Sequence, residues 1–151
     1  MVNKQFDPEL FKKNDKAAKD AARKIFKNLK DFELKLSESK FAVDFLVYKN
    51  GEHFCNLEVE IKRVWKDKEF KYDTVQFPER KRKFTVLEKP TLFLMFNDKL
   101  TSYLVVHGKY LVDSSLKEVH NKYVRAGELF FQVPISKVAF NDIKKALEGI
   151  K

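Results

Sequence analysis

An apolar stretch and a stretch of alternating apolar and polar residues flank a short polar turn near the middle of the chain. The first covers residues 41–48 and the second residues 53–62, and both are rich in β-branched and aromatic residues. Between them lies Asn50-Gly51, the strongest short-range signal for a β-hairpin in such a setting. Because side chains alternate across a strand, one face of the second strand is apolar and the other is charged. The pattern therefore predicts a hairpin with one core face.

Acidic residues occupy the charged face of this hairpin. Glu58 and Glu60 alternate with apolar residues in the second strand, and Asp44 interrupts the apolar first strand. A β-bulge, or a loop with an odd number of residues, would place Asp44 opposite Glu58 and make Glu60 its diagonal neighbour, at roughly 7–8 Å. A plain two-residue turn would instead pair Asp44 with Leu57 and send the acids to opposite faces. In the first register the carboxylates and Lys62 converge, and such hard oxygen ligands suit Mg²⁺ or Mn²⁺.

An Asp in one strand, a hairpin, and Glu-x-Lys in the next strand resemble the PD-(D/E)XK nuclease superfamily. Asp44, Glu60 and Lys62 stand in the motif positions, and Val43 stands where the family motif has its proline. The resemblance covers roughly residues 14–97. It implies an α/β restriction-endonuclease-like fold with a mixed sheet, an αβββαβ core, and extra C-terminal strands and a helix. Junction resolvases and small phage-type nucleases are the members to which it points.

The resemblance also implies an activity and roles for these residues. The activity is Mg²⁺- or Mn²⁺-dependent hydrolysis of DNA phosphodiester bonds by an endonuclease. Asp44 and Glu60 would hold the metal together with the Ile61 carbonyl, and Lys62 would position the attacking water and stabilise developing charge.

The Glu-x-Lys motif carries little information alone, because this lysine-rich chain contains four further copies. Only the copy at Glu60 follows an acid-bearing strand across a hairpin signal. The alternative is that Glu58, Glu60 and Lys62 form the solvent-facing side of an antiparallel sheet, with Asp44 near its edge. The elements predicted before and after the hairpin favour the nuclease site over this alternative.

The pattern before the hairpin predicts a helix and then a strand. From Asn14 or Asp15, apolar residues recur every three to four positions, and lysines cover the opposite face. Residues 32–36 then alternate as a strand. Asp15 lies in line with the apolar stripe, and the resemblance implies that an acid there leans toward the metal. A role at the helix N-terminus is the alternative that we favour for Asp15.

The pattern after the hairpin predicts an irregular stretch, a helix and a buried strand. Residues 64–76 show no clear period, and Pro78 suits the first turn of a helix that ends near Leu87. Residues 91–96 are continuously apolar, as in a strand that is buried on both faces. A crossover helix lets this strand run parallel to the second hairpin strand. The resulting element order is the core order that the resemblance implies.

The predicted crossover helix carries a dense group of cations. Arg80 and Lys81 are our first choices for contacts with DNA phosphates, with Lys83 behind them and Gln76 or Lys71 as further candidates. Solvated surface charge is the alternative for each of them taken singly.

The C-terminal third extends the sheet in this interpretation. We expect a second hairpin around His107-Gly108, a short helix over residues 114–124, an edge strand over residues 128–134 and a closing helix over residues 141–149. Three aromatic residues are candidates for stacking on bases, although packing is the better expectation: Tyr110, Tyr123 and Phe131.

Composition sets the outer bounds. The 151 residues suffice for one domain, with 14% aromatic residues for a packed core and a net charge of +9 that attracts polyanions. The single cysteine excludes an internal disulfide, and no Gly-rich phosphate loop is present. A signal peptide and a long apolar run are also lacking, so we expect no membrane partner and a cytoplasmic protein, including a phage-encoded one in the host cytoplasm.

Two functions of different class follow from these patterns. The first is a metal-dependent nuclease whose binding to DNA is dominated by the backbone and is sensitive to salt. The second is a catalytically inactive, basic nucleic-acid-binding module on the same scaffold. A protein-interaction domain with incidental basicity is a third, weaker alternative. The resemblance adds homodimerisation, through the apolar C-terminal part, to the expectations.

Overall fold

The computed structural model describes residues 8–38, 42–121 and 124–150, which form a mixed α+β structure with two β-sheets. The first part of the chain contains, in order, α1 (Pro8–Lys27), β1 (Phe32–Leu36), β2 (Phe45–Lys49), β3 (Glu52–Lys62), β4 (Thr74–Pro78), a 3-10 helix (Glu79–Thr85) and β5 (Thr91–Asn97). The remainder contains β6 (Tyr103–His107), α2 (Gly108–Val112), β7 (Ser115–Asn121), β8 (Val124–Pro134), a second 3-10 helix (Ile135–Lys137), β9 (Ala139–Phe140) and α3 (Ile143–Glu148).

The larger sheet has six strands in the order β1-β2-β3-β5-β6-β9. Strands β3 and β5 run parallel, and the other neighbours in this sheet run antiparallel. The predicted mixed sheet is therefore confirmed at this coarse level. The smaller sheet has the order β4-β8-β7 and is antiparallel.

The core lies on both faces of the six-stranded sheet. On one face, α1 packs Ala22 and Phe26 against the apolar residues of β3. On the other face, the smaller sheet packs Phe77 and Phe131 against β5 and β6. Every residue of β5 is buried, because this strand has a layer on each side. The continuous apolar run predicted such a strand, and that prediction is confirmed.

The β2–β3 hairpin combines a tight turn with a bulge. Asn50 and Gly51 have φ of 49° and 84°, the left-handed values that a two-residue type I′ turn requires. Val47 pairs with Cys55 and Tyr48 with His53, so Phe54 is an extra residue in β3. This bulge shifts the register back by one residue, which places Asp44, the residue just before β2, opposite Glu58.

Several predictions for the part of the chain before β5 need correction. The helix predicted from Pro78 to Leu87 is a seven-residue 3-10 helix, and the end of the stretch predicted to be irregular over residues 64–76 is strand β4. Val75 and Phe77 are buried in alternation, which makes this segment a strand. The basic run that follows buries only Phe84, too little apolar surface to hold a longer α-helix. At the N-terminus, α1 begins at Pro8 and continues through the predicted start at Asn14 or Asp15, so Asp15 lies inside the helix and its favoured role at the helix N-terminus is wrong.

Three predictions for the C-terminal third also need correction. The expected hairpin around His107-Gly108 is β6 followed by α2. A Cβ atom at Gly108 would lie 3.1 Å from the Thr91 carbonyl oxygen, so glycine lets the chain turn tightly against β5. The helix expected over residues 114–124 is strand β7, and the expected edge strand is the central strand β8, which pairs with both β4 and β7. The closing helix is confirmed as α3, capped by the Asp142 side chain.

Candidate active site

A cleft of about 420 Å³ opens between α1, the hairpin and the first 3-10 helix. The predicted site residues Asp44, Glu60 and Ile61 line it, together with Ala18 from α1 and Phe84 from the 3-10 helix. Its charged lining residues are Asp15, Asp44, Glu58, Glu60, Arg80 and Lys81. The cleft therefore has an acidic floor from the hairpin and a basic wall from the 3-10 helix.

Two hydrogen bonds hold Asp44 beside the third strand. The Asp44 backbone N–H donates to Glu58 Oε1 at 2.9 Å, and the Val59 backbone N–H donates to Asp44 Oδ2 at 2.9 Å. Phe45 pairs with Leu57, so Asp44 stands opposite Glu58 at the point where β2 begins. The register that the bulge makes possible is therefore the one in which the carboxylates share a site.

Glu58 is the most buried of the cleft acids that form a hydrogen bond or an ion pair with a neighbouring residue. It is only 7% exposed, and Lys81 Nζ lies 3.2 Å from its Oε2 atom. Burial raises the pKa of Glu58 to about 7, and the nearby Asp44 charge acts in the same direction. Lys81 and the Asp44 N–H oppose this shift without cancelling it. Glu58 is thus poised to change its protonation state near neutral pH.

Asp44 shares a lysine with α1. Lys19 Nζ lies 3.1 Å from Asp15 Oδ2 and 3.9 Å from Asp44 Oδ1. Burial raises the pKa of Asp44, while the hydrogen bond from Val59 and the Lys19 charge lower it. Asp15 therefore lines the same cleft as Asp44, and Lys19 bridges the two acids.

Glu60 is half-buried, and no side chain or backbone N–H of the described residues binds its carboxylate. Burial raises the pKa of Glu60, and the charges of Lys81, Lys62 and Arg80 oppose that rise from a distance. A desolvated carboxylate without a direct partner is costly for a folded protein. This cost is characteristic of groups whose partner is a ligand.

The remaining predicted residues lie outside the cleft lining. Lys62 is half-buried two positions beyond Glu60, on the same face of β3, and burial lowers its pKa. Lys83 is exposed, with Nζ 5.0 Å from the centre of the Phe84 ring. Gln76 lies in β4, where its Nε2 atom donates to Gln132 at 3.4 Å. Tyr123 lies outside the described residues.

The two cations of the basic wall, Arg80 and Lys81, differ in solvent exposure and in the strength of their ion pairs. Lys81 is half-buried against Glu58. Arg80 has a side chain that is 72% exposed, and its Nε atom is 3.7 Å from Glu128, a long and solvent-screened contact. Arg80 can therefore turn toward an anion in the cleft at little cost.

The oxygen donors of the cleft suit a hard divalent cation. Within the described ranges, no three Asp, Glu, His or Cys side chains are grouped closely enough to enclose a metal by themselves. Mg²⁺ does not require such a cage, because it keeps several waters and commonly uses one or two carboxylates plus substrate phosphates. Asp44 and Glu60 supply two carboxylates in one cleft, and this set of donors fits Mg²⁺.

Sequence reasoning underestimated two residues. Glu58 stood in the predicted cluster without a role, yet it links Asp44 to Lys81. The sequence did indicate that Glu58 lies on the same face of its strand as Glu60, because the two residues are two positions apart. Lys19 was counted only as part of the basic exterior of α1, and nothing local in the sequence indicated that it reaches Asp44.

Comparisons with protein-family models, with curated proteins and with solved structures found no match for this chain. In the described part of the chain, no helix has the length and apolar character needed to cross a membrane.

Proposed function

We propose that this protein is a divalent-cation-dependent nuclease that hydrolyses phosphodiester bonds of DNA, and that the acidic cleft is its active site. The observation that carries the proposal is Glu60. Its carboxylate is half-buried, has no direct partner among the described residues, and lies in the same cleft as Asp44 and two cations. The resemblance to PD-(D/E)XK nucleases supports the same assignment.

Asp44, Glu60 and the Ile61 carbonyl would hold Mg²⁺ or Mn²⁺. When bound, such a cation lowers the pKa of a coordinated water and stabilises the negative charge that develops on the phosphate. The Val59 N–H fixes one oxygen of Asp44, so the other oxygen is directed to the cleft or to Lys19. Lys62 would place its charge near Glu60 and orient the attacking water from the same face of β3.

The basic wall would bind the DNA backbone. Arg80 is exposed and offers a planar set of donors to a phosphate. Lys81 adds a second positive charge and holds Glu58 at the same time. The net charge of +9 supplies the long-range attraction to a polyanion.

The order of elements along the chain supports the proposal further. A helix, three antiparallel strands, a crossover with a short helix and a strand parallel to the third follow one another. This is the order that the resemblance implies, with β4 inserted and a 3-10 helix in place of the expected α-helix.

Cleavage of DNA tests the proposal. The parent protein, Asp44→Asn and Glu60→Gln are incubated with supercoiled, branched and single-stranded DNA, and with RNA, in Mg²⁺, Mn²⁺ or EDTA. We expect metal-dependent cutting of DNA by the parent and a loss of at least about 100-fold in each variant. Glu88→Gln, in an exposed loop, is the matched control and keeps the parent rate. Cutting that survives both substitutions would overturn the assignment.

A second function has its own support. The ion pairs of Lys81 with Glu58, and of Lys19 with Asp15 and Asp44, stabilise three of the acids without a metal. A catalytically inactive module that binds nucleic acid would need no more than this. The same assay separates the two functions, since such a module binds DNA tightly and cuts nothing in any metal.

A further inference from the structure

A second pocket lies at the opposite edge of the six-stranded sheet. It has a volume of about 290 Å³ and forms where β6, α2, the second 3-10 helix, β9 and α3 meet. Its charged lining residues are Lys109, Lys137 and Lys145, with His107 beside them. No Asp or Glu of the described residues lines it, so all the charged side chains of its lining are positive.

Two of these lysines converge on one aromatic ring. Lys109 Nζ lies 5.1 Å and Lys137 Nζ lies 5.5 Å from the centre of the Tyr110 ring. The ring attracts both ammonium groups through its quadrupole. Tyr110 therefore keeps two positive charges at the pocket, and both would attract an anion bound there.

Among the residues that the structure describes, the pocket lysines lack the acidic partners that Lys19 and Lys81 have beside the active-site cleft. Lys19 and Lys81 each form an ion pair with a carboxylate. Within the described ranges, no carboxylate lies within ion-pair distance of the Lys109, Lys137 or Lys145 ammonium. These charges are thus available to a ligand from solution.

His107 adds a neutral donor to the pocket. Its Nδ1 atom accepts a hydrogen bond from the Lys109 backbone N–H at 3.0 Å, so Nδ1 carries no proton. The proton of the neutral ring is therefore on Nε2, which makes that atom a hydrogen-bond donor. Burial and the Lys109 charge lower the pKa of His107, which favours this neutral form.

We propose that this pocket binds a terminal phosphate group, a phosphomonoester attached to a compact and partly apolar body. A phosphomonoester carries nearly two negative charges at neutral pH, which matches a pocket with three lysines and no acid. The remaining walls, from Val105, Val138 and Ala146, are apolar and suit the body of a nucleoside. A pocket of this volume receives the end of a chain or a small molecule and not the side of a duplex.

Two kinds of molecule carry such a terminal phosphate: a nucleic acid with a 5′-phosphate end and a free nucleotide. The proposal does not depend on nuclease activity, since the pocket is two strands away from β3 and shares no lining residue with the cleft. Binding alone therefore tests it, with EDTA present to silence any cutting.

Calorimetric titration with adenosine 5′-monophosphate and with adenosine is the experiment. We expect the monophosphate to bind at least about 10-fold more tightly than the nucleoside, and the double variant Lys109→Gln/Lys137→Gln to lose this preference. The matched control is Lys117→Gln/Lys144→Gln, which removes the same charge from exposed positions outside the pocket. Thermal melts of both variants verify folding.

A short oligonucleotide with and without a 5′-phosphate then identifies the source. A preference for the phosphorylated end that needs Lys109 and Lys137 assigns the pocket to nucleic-acid ends. A preference seen only with the mononucleotide assigns it to a free nucleotide. Equal losses in the pocket variant and the control, or no preference for phosphate in any probe, would overturn the proposal.

Discussion

Glu58 makes the stability of the fold depend on pH in a predictable direction. Its folded-state pKa of about 7 lies above the ordinary value of 4.5. The folded state therefore binds the proton more tightly, and the contribution to stability is complete below pH 4.5 and is lost as pH rises through 7. The full shift corresponds to roughly 3 kcal/mol, shared with its neighbour Asp44. Glu58→Gln should flatten this fall.

Chemical denaturation at pH 4.5, 6.0 and 7.5 in EDTA measures the effect. Glu88→Gln, an exposed acid, should keep the pH profile of the parent. Identical profiles for the parent and Glu58→Gln would show that Glu58 titrates normally.

Lys81 and Lys83, two residues apart in the 3-10 helix, should behave differently. Lys81→Ala leaves Glu58 buried without its cation, and we expect a loss of about 2 kcal/mol in the free energy of unfolding at pH 8. Lys83→Ala removes an exposed charge and should change this free energy by no more than about 0.5 kcal/mol. Denaturant titration of both variants and of Glu58→Gln/Lys81→Ala completes the comparison, since the double variant should recover part of the loss. Equal effects at the two lysines would contradict the ion pair.

At the scale of the hairpin, the turn requires glycine at one position. Gly51 has φ of 84° and open space around its Cα, so Gly51→Ala introduces backbone strain and no steric contact. We expect a loss of about 1–2 kcal/mol in unfolding free energy. Gly149→Ala, at φ of −74° with ordinary contacts, should be nearly neutral. Thermal melts of the two variants measure the difference. Similar losses of stability in both variants would exclude a left-handed conformation at Gly51.

The hairpin was predictable in type but not in register. Asn50-Gly51 and the alternating residues on either side are local signals, and local signals fix a turn and its strands. The bulge at Phe54 has no such signal, because Phe54 continues the apolar pattern that a regular strand would show. The two registers that the sequence allowed were therefore separated only by the packing of the hairpin against α1 and the pairing of β3 with β5.

At the scale of the whole molecule, the net charge should govern DNA affinity. Backbone contacts release counterions, so affinity should fall about 100-fold between 50 and 200 mM salt if four phosphates are neutralised. Fluorescence anisotropy with labelled DNA in EDTA measures this slope, and Arg80→Gln should reduce it by about one unit. A flat salt profile would favour an interaction domain with incidental basicity.

The smaller sheet shows where sequence reasoning reaches its limit. Strand β4 pairs with β8 across more than fifty residues of intervening chain, for example Val75 with Val133. The pattern predicted an irregular stretch where β4 lies and an edge strand where β8 is central, because the stability of both strands comes from burial against a distant partner. The central parallel strand β5 was predictable, because a strand that is buried on both faces has a continuous run of apolar residues in its own sequence.

The central claim is that the cleft around Asp44 and Glu60 is a divalent-cation site. Calorimetric titration of Mn²⁺ into the metal-free protein at pH 8 tests it most directly. The parent should bind Mn²⁺, Asp44→Asn and Glu60→Gln should each bind at least about 10-fold more weakly, and Glu88→Gln should match the parent. A parent that binds no Mn²⁺ or Mg²⁺, or acid variants that bind as tightly as the parent, would contradict the account.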